Sequence, residues 1–400
     1  MASKLKEWVL SYGPAIFIIG AVIGTGSVSS LVWAGAEHGM SLLWSLMLSC
    51  FFFWLLITSI SRLTFAGGMT FVALTKKHFG TAAAAYIVLA IVIGQFTSNI
   101  GVLGIVSESF ASWTGFDFLW SSIIWSTFVY LLIAFGKYAL FEKALIVFVT
   151  VLALSFMVNL IMAPPDPGEV LRGLMPSVPE GGAMIAAAMV GTTLAGSVVV
   201  MRSFVVKDKG WTLSDLKHAD KDAVVTGVMV FIVSAIIMAA ASATLHVQGL
   251  HIDKAIDMAY SLEPMFGRWA GTLFVTGIMA AGLSSAMTNA LVSSWSIADF
   301  FGLSRDPQSK IFRILVLPFC LAGLVAALAG GKPVFLQIIS LAIQAIFMPL
   351  LVVFILLLLN KESVAGKYKN SFAINFLTVL TFLFSLFMAY QAYDGLRVLL

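Results

Sequence analysis

Apolar runs of roughly 18 residues or more follow one another along the whole chain, separated by short segments that carry most of the charge, proline and glycine. Each run is long enough for the helix of about 20 residues that crosses a hydrocarbon core. The runs are continuous rather than alternating, which is the pattern of helices and not of a transmembrane barrel. Cutting at charges, prolines and glycines predicts eleven spans, at about residues 9–36, 39–65, 82–110, 118–135, 140–162, 182–206, 222–247, 267–299, 311–330, 333–359 and 372–394. No loop is long enough for a further domain, so residues 1–400 are expected to form one all-α integral membrane domain.

Two of these spans are interrupted by weak helix formers. In span 1 the stretch "AVIGTGSVSS" (Ala21 to Ser30) places Gly24, Thr25, Gly26 and Ser27 at the middle of an apolar run. Its "AVIGT" is echoed in span 6 by "AMVGT" (Ala188 to Thr192), followed by Thr193, Gly196 and Ser197. Small residues in a membrane helix allow close helix packing. Matching interruptions in corresponding spans of two oppositely oriented halves point instead to a transporter site, because backbone freed from a helix is tolerated only where it lines a cavity or holds something. The spacing of five spans predicts an inverted five-plus-five repeat, over residues 9–162 and 182–359, with residues 372–394 as one extra helix. Spans 1 and 6 are then broken at the membrane midplane.

Composition agrees: 60% of residues are hydrophobic and 10% are charged, far from a soluble domain. With the N-terminus in the cytoplasm, eighteen of the 23 lysines and arginines fall on the cytoplasmic side. The other side holds Arg172, Lys254, Arg268, Lys332 and Arg397. That bias predicts a multi-pass cell-membrane protein with its N-terminus inside and its C-terminus outside. The net charge of +4 is thereby a topology signal and not a nucleic-acid one. Lys4 and Lys6 precede an apolar run too long for a signal peptide, so the first span is expected to be retained. Cys50 and Cys320 each fall inside a span and read as core residues. Of the outer loops, the one after span 7 has the pattern of a short amphipathic surface helix.

Three stretches, "GPAIFIIGAVIG" (Gly13 to Gly24), "PDPGEVLRGLMPSVP" (Pro165 to Pro179) and "LFVTGIMAAGLSSAMTNALVSSWSIADFFG" (Leu273 to Gly302), resemble the Nramp family of metal-ion transporters, and the likeness extends over nearly the whole chain. The resemblance implies the LeuT-type inverted-repeat fold with eleven or twelve helices. It also implies a metal site, and there the residues differ. The family's helix 1 carries Asp-Pro-Gly-Asn, with Asp and Asn binding the metal, where this chain has Gly24, Thr25, Gly26 and Ser27. Its helix 6 carries Met-Pro-His, matched here by Ala195, Gly196 and Ser197. The acidic stretch on its helix 3 that moves protons lies against Phe96 to Gly101, where Ser98 and Asn99 are the nearest polar residues. A later histidine of helix 6 is matched by Arg202 and a helix 10 glutamine by Leu341, while Arg313 matches a basic position.

A manganese or iron site draws on carboxylate, imidazole or thioether ligands. The expected site, Gly24, Thr25, Gly26, Ser27, Thr192, Thr193, Ala195, Gly196 and Ser197, offers hydroxyls and backbone only. None of the five histidines (His38, His78, His218, His246, His251) is expected inside a span to replace the lost ligands. Half-helix N-termini suit an anion. The main expectation is therefore a secondary transporter, working by alternating access, for a small organic acid, amino acid or other anion. The alternatives are a divalent metal-ion transporter, the activity the resemblance implies, with a hydrated cation such as magnesium as one form of it, and a sensor or scaffold that kept the fold without transport. Candidate coupling or pathway residues are Ser98, Asn99, Glu108, Asn289, Arg313 and Gln344, with Glu108 near the outer end of span 3. Gln95, Asn159 and Gln337 are further polar candidates for a path, and Arg62, Arg202 and Asp299 read as anchors or pairs at cytoplasmic helix ends. No paired carboxylates and no nucleophile with a base meet within the spans, which argues against an enzyme. No repeated filter sequence suggests a channel. The expected partners are the lipid bilayer and a small solute or ion, with no cofactor, no resident metal and no nucleic acid, in a protein that works as a monomer.

Overall fold

Helix ends fall where the sequence places short polar side chains and glycines. Thr70, Asp117, Ser309 and Ser371 each accept a backbone N–H of the first helical turn that follows them. These contacts belong to a computed structural model that describes residues 22–135, 138–262 and 269–398, with side chains except those of 138–148. The first half of span 1, with Lys4 and Lys6, lies outside the described residues, as do Lys137 and Arg268.

The membrane helices are α1 (Thr25–His38), α2 (Leu43–Gly67), α3 (Phe71–Thr114), α4 (Phe118–Ala134), α5 (Tyr138–Met162), α6 (Ala183–Thr193), α7 (Gly196–Asp208), α8 (Leu216–Ala241), α9 (Ala270–Phe301), α10 (Lys310–Leu321), α11 (Gly323–Leu328), α12 (Pro333–Asn360) and α13 (Phe372–Arg397). Span 6 is thus α6 plus α7, and span 9 is α10 plus α11. Among the described residues eight helical segments are long and apolar enough to cross a membrane, and two more apolar helices are shorter.

One helix start differs from expectation. α3 begins at Phe71 rather than near residue 82, because a separate leading helix runs up to Gly80, which takes φ 87°. Only a residue without Cβ adopts that conformation at no cost, so Gly80 makes the turn from this leading segment, which buries Phe71, Val72 and Leu74, into the membrane span behind it. This leading segment contains His78, His246 closes the π-helical turn Ser242–His246 that ends span 7, His38 ends α1 and His218 lies in the first turn of α8, so four of the five histidines do lie in helices. The loop before α9 carries a short 3-10 segment, Ala255–Leu262, whose apolar side chains are buried rather than laid on the surface.

α3 lies at the centre, packed along both α9 and α12, while α1 is enclosed by α6, α8, α9 and α12. α6, "AMIAAAMVGTT", is buried along almost its whole length, because its small side chains admit α1, α12 and α13 on different sides. α13 turns Phe372, Phe376, Leu383 and Tyr390 outward, as a lipid-facing helix should.

Charges sort to two ends. At one, Lys76 donates to Phe300 O, Lys207 to Gly68 O, and Arg305 pairs with Asp208. At the other, Lys332 pairs with Asp253 and His251 with Glu37. The hydrogen bond to the Glu37 carboxylate, reinforced by its charge, holds the exposed His251 imidazole above the ordinary histidine value. A raised value means that the protonated pair persists at low pH and is lost as pH rises through that value. An NMR titration of His251 should therefore give a midpoint above about 6.5, falling back towards it in Glu37→Gln. An unchanged midpoint in that variant would disprove the pairing.

Candidate functional site

Both predicted interruptions occur, and they meet. α1 starts at Thr25 behind an extended Gly24 (φ −111°, ψ −169°), with no side chain capping its first turn. α6 stops at Thr193; Leu194 and Ala195 leave the helical region, and α7 restarts at Gly196, again without a side-chain cap. The second break therefore falls at Leu194 and Ala195, a turn beyond the "AMVGT" echo, whose residues are helical. Ser27 Oγ donates to the Val22 carbonyl, so in its 3.0 Å contact with Thr192 Oγ1 it accepts. That contact ties the first break to the second.

Between the breaks is a cavity of about 40 Å³. Gly24, Gly26 and Ser27 bound it on one side, and Thr192, Ala195 and Ser197 on another. Gln95 and Ser98 of α3, Ser285 and Asn289 of α9, and Gln337, Leu341 and Gln344 of α12 complete the polar wall. Among the described residues no charged side chain lines it, and no three His, Cys, Asp or Glu side chains gather as a metal cluster. A Cβ on Gly24 would run into Ser285 Oγ, and one on Gly26 would come within 3.0 Å of Gln337 Nε2. The missing side chains are what let Ser285 and Gln337 reach the broken helix.

Hydrogen bonds fix how these groups face. Asn99 Nδ2 donates to Ala286 O (3.2 Å) and to Phe319 O (3.0 Å). Its Oδ1 accepts from Asn289 Nδ2 at 2.9 Å, and Asn289 Nδ2 also donates to Ser98 Oγ at 3.3 Å. Ser98 Oγ accepts a further bond from Gln337 Nε2 at 3.2 Å. Gln95 Nε2 donates to Gln344 Oε1 at 2.9 Å. Two buried oxygens, Ser285 Oγ and Gln337 Oε1, have no partner among the described residues. Buried oxygens of this kind are rare unless water or an ion serves them.

Of the site residues expected from sequence, Gly24, Gly26, Ser27, Thr192, Ala195, Ser197, Ser98, Asn289 and Gln344 come together. The others do not reach the cavity. Thr25 turns to Ile278 O and knits α1 to α9; Thr193 donates back to Met189 O within α6. Gly196 lines a neighbouring cavity between α3, α7 and α12 that shares Gln95, Ser197 and Gln344. Asn99 stands one layer behind the wall. Glu108 accepts the Ala255 N–H at 3.1 Å and so holds the loop before α9. Arg313 lies in the first turn of α10, which contributes nothing to the cavity. Ser285 was not singled out, and Gln95 and Gln337 ranked behind Asn289 and Gln344. The signal for them was spacing: Ser285 and Asn289 are four apart on α9, and Gln337, Leu341 and Gln344 follow helical period on α12, so each set shares one face.

A family model described as natural resistance-associated macrophage protein-like matches residues 15–393. Among curated relatives, the divalent metal cation transporter MntH of Chromohalobacter salexigens is 24% identical over 311 residues, 74% of this chain and 72% of its own length. Among solved structures, the Eremococcus coleocola manganese transporter, crystallised with an aromatic bis-isothiourea compound, superposes with a TM-score of 0.78 at 16% identity, over 98% of this chain and 87% of the other. Mhp1, a nucleobase-cation-symport-1 family transporter, follows with a TM-score of 0.63 at 17% identity, over 97% and 92%. At such identities the two structures speak to the fold alone.

Proposed function

The chain belongs to the natural resistance-associated macrophage protein (Nramp) family, multi-pass membrane transporters with the LeuT-type fold, and on that premise we propose that it carries a hard divalent cation bound with part of its water shell. The observation that carries the proposal is the set of oxygens facing the cavity without protein donors. Asn289, in the wall, uses its amide hydrogens on Asn99 and Ser98, which leaves Oδ1 for a ligand; Ser285 Oγ is buried with no partner among the described residues. Neutral oxygens suit a hard cation that keeps its own waters, as magnesium does, better than one that needs carboxylate, imidazole or thioether ligands. A cavity of about 40 Å³ has room for roughly three waters, taking one per 10–15 Å³. That fits a partly hydrated ion. It is small for the organic acid or amino acid favoured from sequence, whose carboxylate would also find no lysine or arginine among the described residues of the wall. The names of relatives, a divalent metal cation transporter and a manganese transporter, support the same class.

Transport would proceed by alternating access around the two breaks, with the lysine-rich end of the bundle in the cytoplasm. A small inorganic anion is the second reading, favoured by the uncapped first turns of α1 and α7 beside the cavity. Proteoliposome uptake separates them. Saturable uptake of magnesium or manganese is expected, and Ser27→Leu, which fills the cavity, should abolish it. Uptake of chloride, an organic acid or an amino acid without divalent flux would overturn the cation reading.

A further inference from the structure

The Asn289 amide owes its direction to a residue that does not touch the cavity. Asn99 is fully buried on α3, and both hydrogens of its Nδ2 are taken by backbone carbonyls, Ala286 O on α9 and Phe319 O on α10. Rotating the Asn99 amide by half a turn would press its oxygen against those two carbonyl oxygens, a repulsive arrangement in a buried place. Its Oδ1 is thereby compelled to face Asn289 as an acceptor. An acceptor there demands a donor, so Asn289 presents Nδ2 to Asn99 at 2.9 Å and turns Oδ1 the other way. Ser98, the second partner of Asn289, has a hydroxyl that can donate or accept, and imposes no direction.

We propose that Asn99 is a positioning residue that sets the polarity of the transport site: two backbone carbonyls orient its amide, its amide orients that of Asn289, and the cavity receives an oxygen instead of an N–H donor. The proposal rests on the divalent-cation reading above and names what makes the site select a cation. Without Asn99, the Asn289 amide is free to rotate and to place its Nδ2 hydrogens, which repel a cation, where the oxygen stood. The polarity of a neutral site is then decided by one residue in the layer behind it.

A carboxylate in place of the Asn289 amide makes the test, because it has an oxygen on either side and no rotation changes what it presents. Magnesium and manganese binding is measured by calorimetry on the full chain purified in detergent, for Asn99→Leu, Asn289→Asp and the double variant. Asn99→Leu is expected to weaken binding by about tenfold or more in the original background, and not to weaken it in the Asn289→Asp background, where it also removes the Asn99 oxygen that would face a carboxylate oxygen. An equal loss in both backgrounds would mean that Asn99 matters only for packing, and no loss in either would mean that it does not set the direction; each overturns the proposal. Asn99→Ala, run in parallel, creates no bulk, and if neither variant elutes as a folded monodisperse species while Asn289→Asp does, Asn99 is structural and the proposal falls. Absence of divalent binding by the unsubstituted chain marks a different failure, that of the cation reading itself, and removes this inference with it.

Discussion

Arg202→Ala is expected to lower the stability of the folded protein by about 3–5 kcal/mol, the cost of breaking a buried ion pair. The Arg202 guanidinium and the Asp222 carboxylate are both fully buried and stand 2.5 Å apart, joining α7 to α8. Arg202 Nε also donates to Ser61 Oγ of α2 at 2.9 Å, NH2 reaches Ala219 O at 3.4 Å, and the guanidinium lies over the Trp211 ring. Truncation deprives the buried Asp222 of its guanidinium while leaving the carboxylate in place. Ser61 is less affected, because its hydroxyl already donates to Ile57 O. For a chain of 400 residues, with an unfolding entropy of about 2 cal/mol/K per residue, the loss corresponds to a melting point lower by on the order of 5 °C. Arg202→Met with Asp222→Leu should recover most of it, since apolar replacement removes both charges together. A melting point for Arg202→Ala within a degree of the parent, followed in detergent by fluorescence-detected size exclusion, would contradict this account.

The membrane spans were legible because each leaves a long apolar run, and the breaks were legible because glycine and hydroxyl residues recur at corresponding places in spans 1 and 6. The sequence echo located the second break only to within a turn. It marked Gly191, which serves helix packing, while the chain leaves the helix at Leu194 and Ala195, two residues that look ordinary in sequence. The polar wall was only partly legible. Its members lie on α3, α9 and α12, far apart in the chain, and each reads alone as interhelical glue; only the packing of the three helices turns them to one cavity. Glu108 reads in sequence as an intramembrane carboxylate, but its partner, the Ala255 N–H, is 147 positions away in the loop before α9, a contact that periodicity cannot predict. The direction of each amide, which decides the kind of ligand, was invisible. It depends on hydrogen bonds, and one residue type offers both polarities.

The two glycines of the echoed motif should respond oppositely to the same small change. In Gly191→Ala the new methyl would overlap the Leu341 carbonyl oxygen and approach its carbon to 2.9 Å. Both atoms are backbone of α12, so relief requires moving the helix that carries Gln337 and Gln344. Overpacking of a tight helix contact costs about 1–3 kcal/mol or more, and here it also displaces one wall of the cavity. In Gly24→Ala the methyl meets the Ser285 hydroxyl first, with Ser285 Cβ at 3.1 Å. A serine χ1 rotates at small cost, and Gly24 has a negative φ that alanine tolerates, so the fold should be nearly unaffected. What is lost is the oxygen: rotation takes Ser285 Oγ away from the cavity. Gly191→Ala is therefore expected to lower both melting point and cation affinity, and Gly24→Ala to lower affinity by about tenfold with the melting point nearly unchanged. The discriminating result is the ratio of the two effects. Gly24→Ala destabilising the protein as much as Gly191→Ala would mean that Gly24 is another packing glycine and that Ser285 contributes nothing to the ligand. A separation of the two effects would assign packing to one copy of the motif and ligand access to the other.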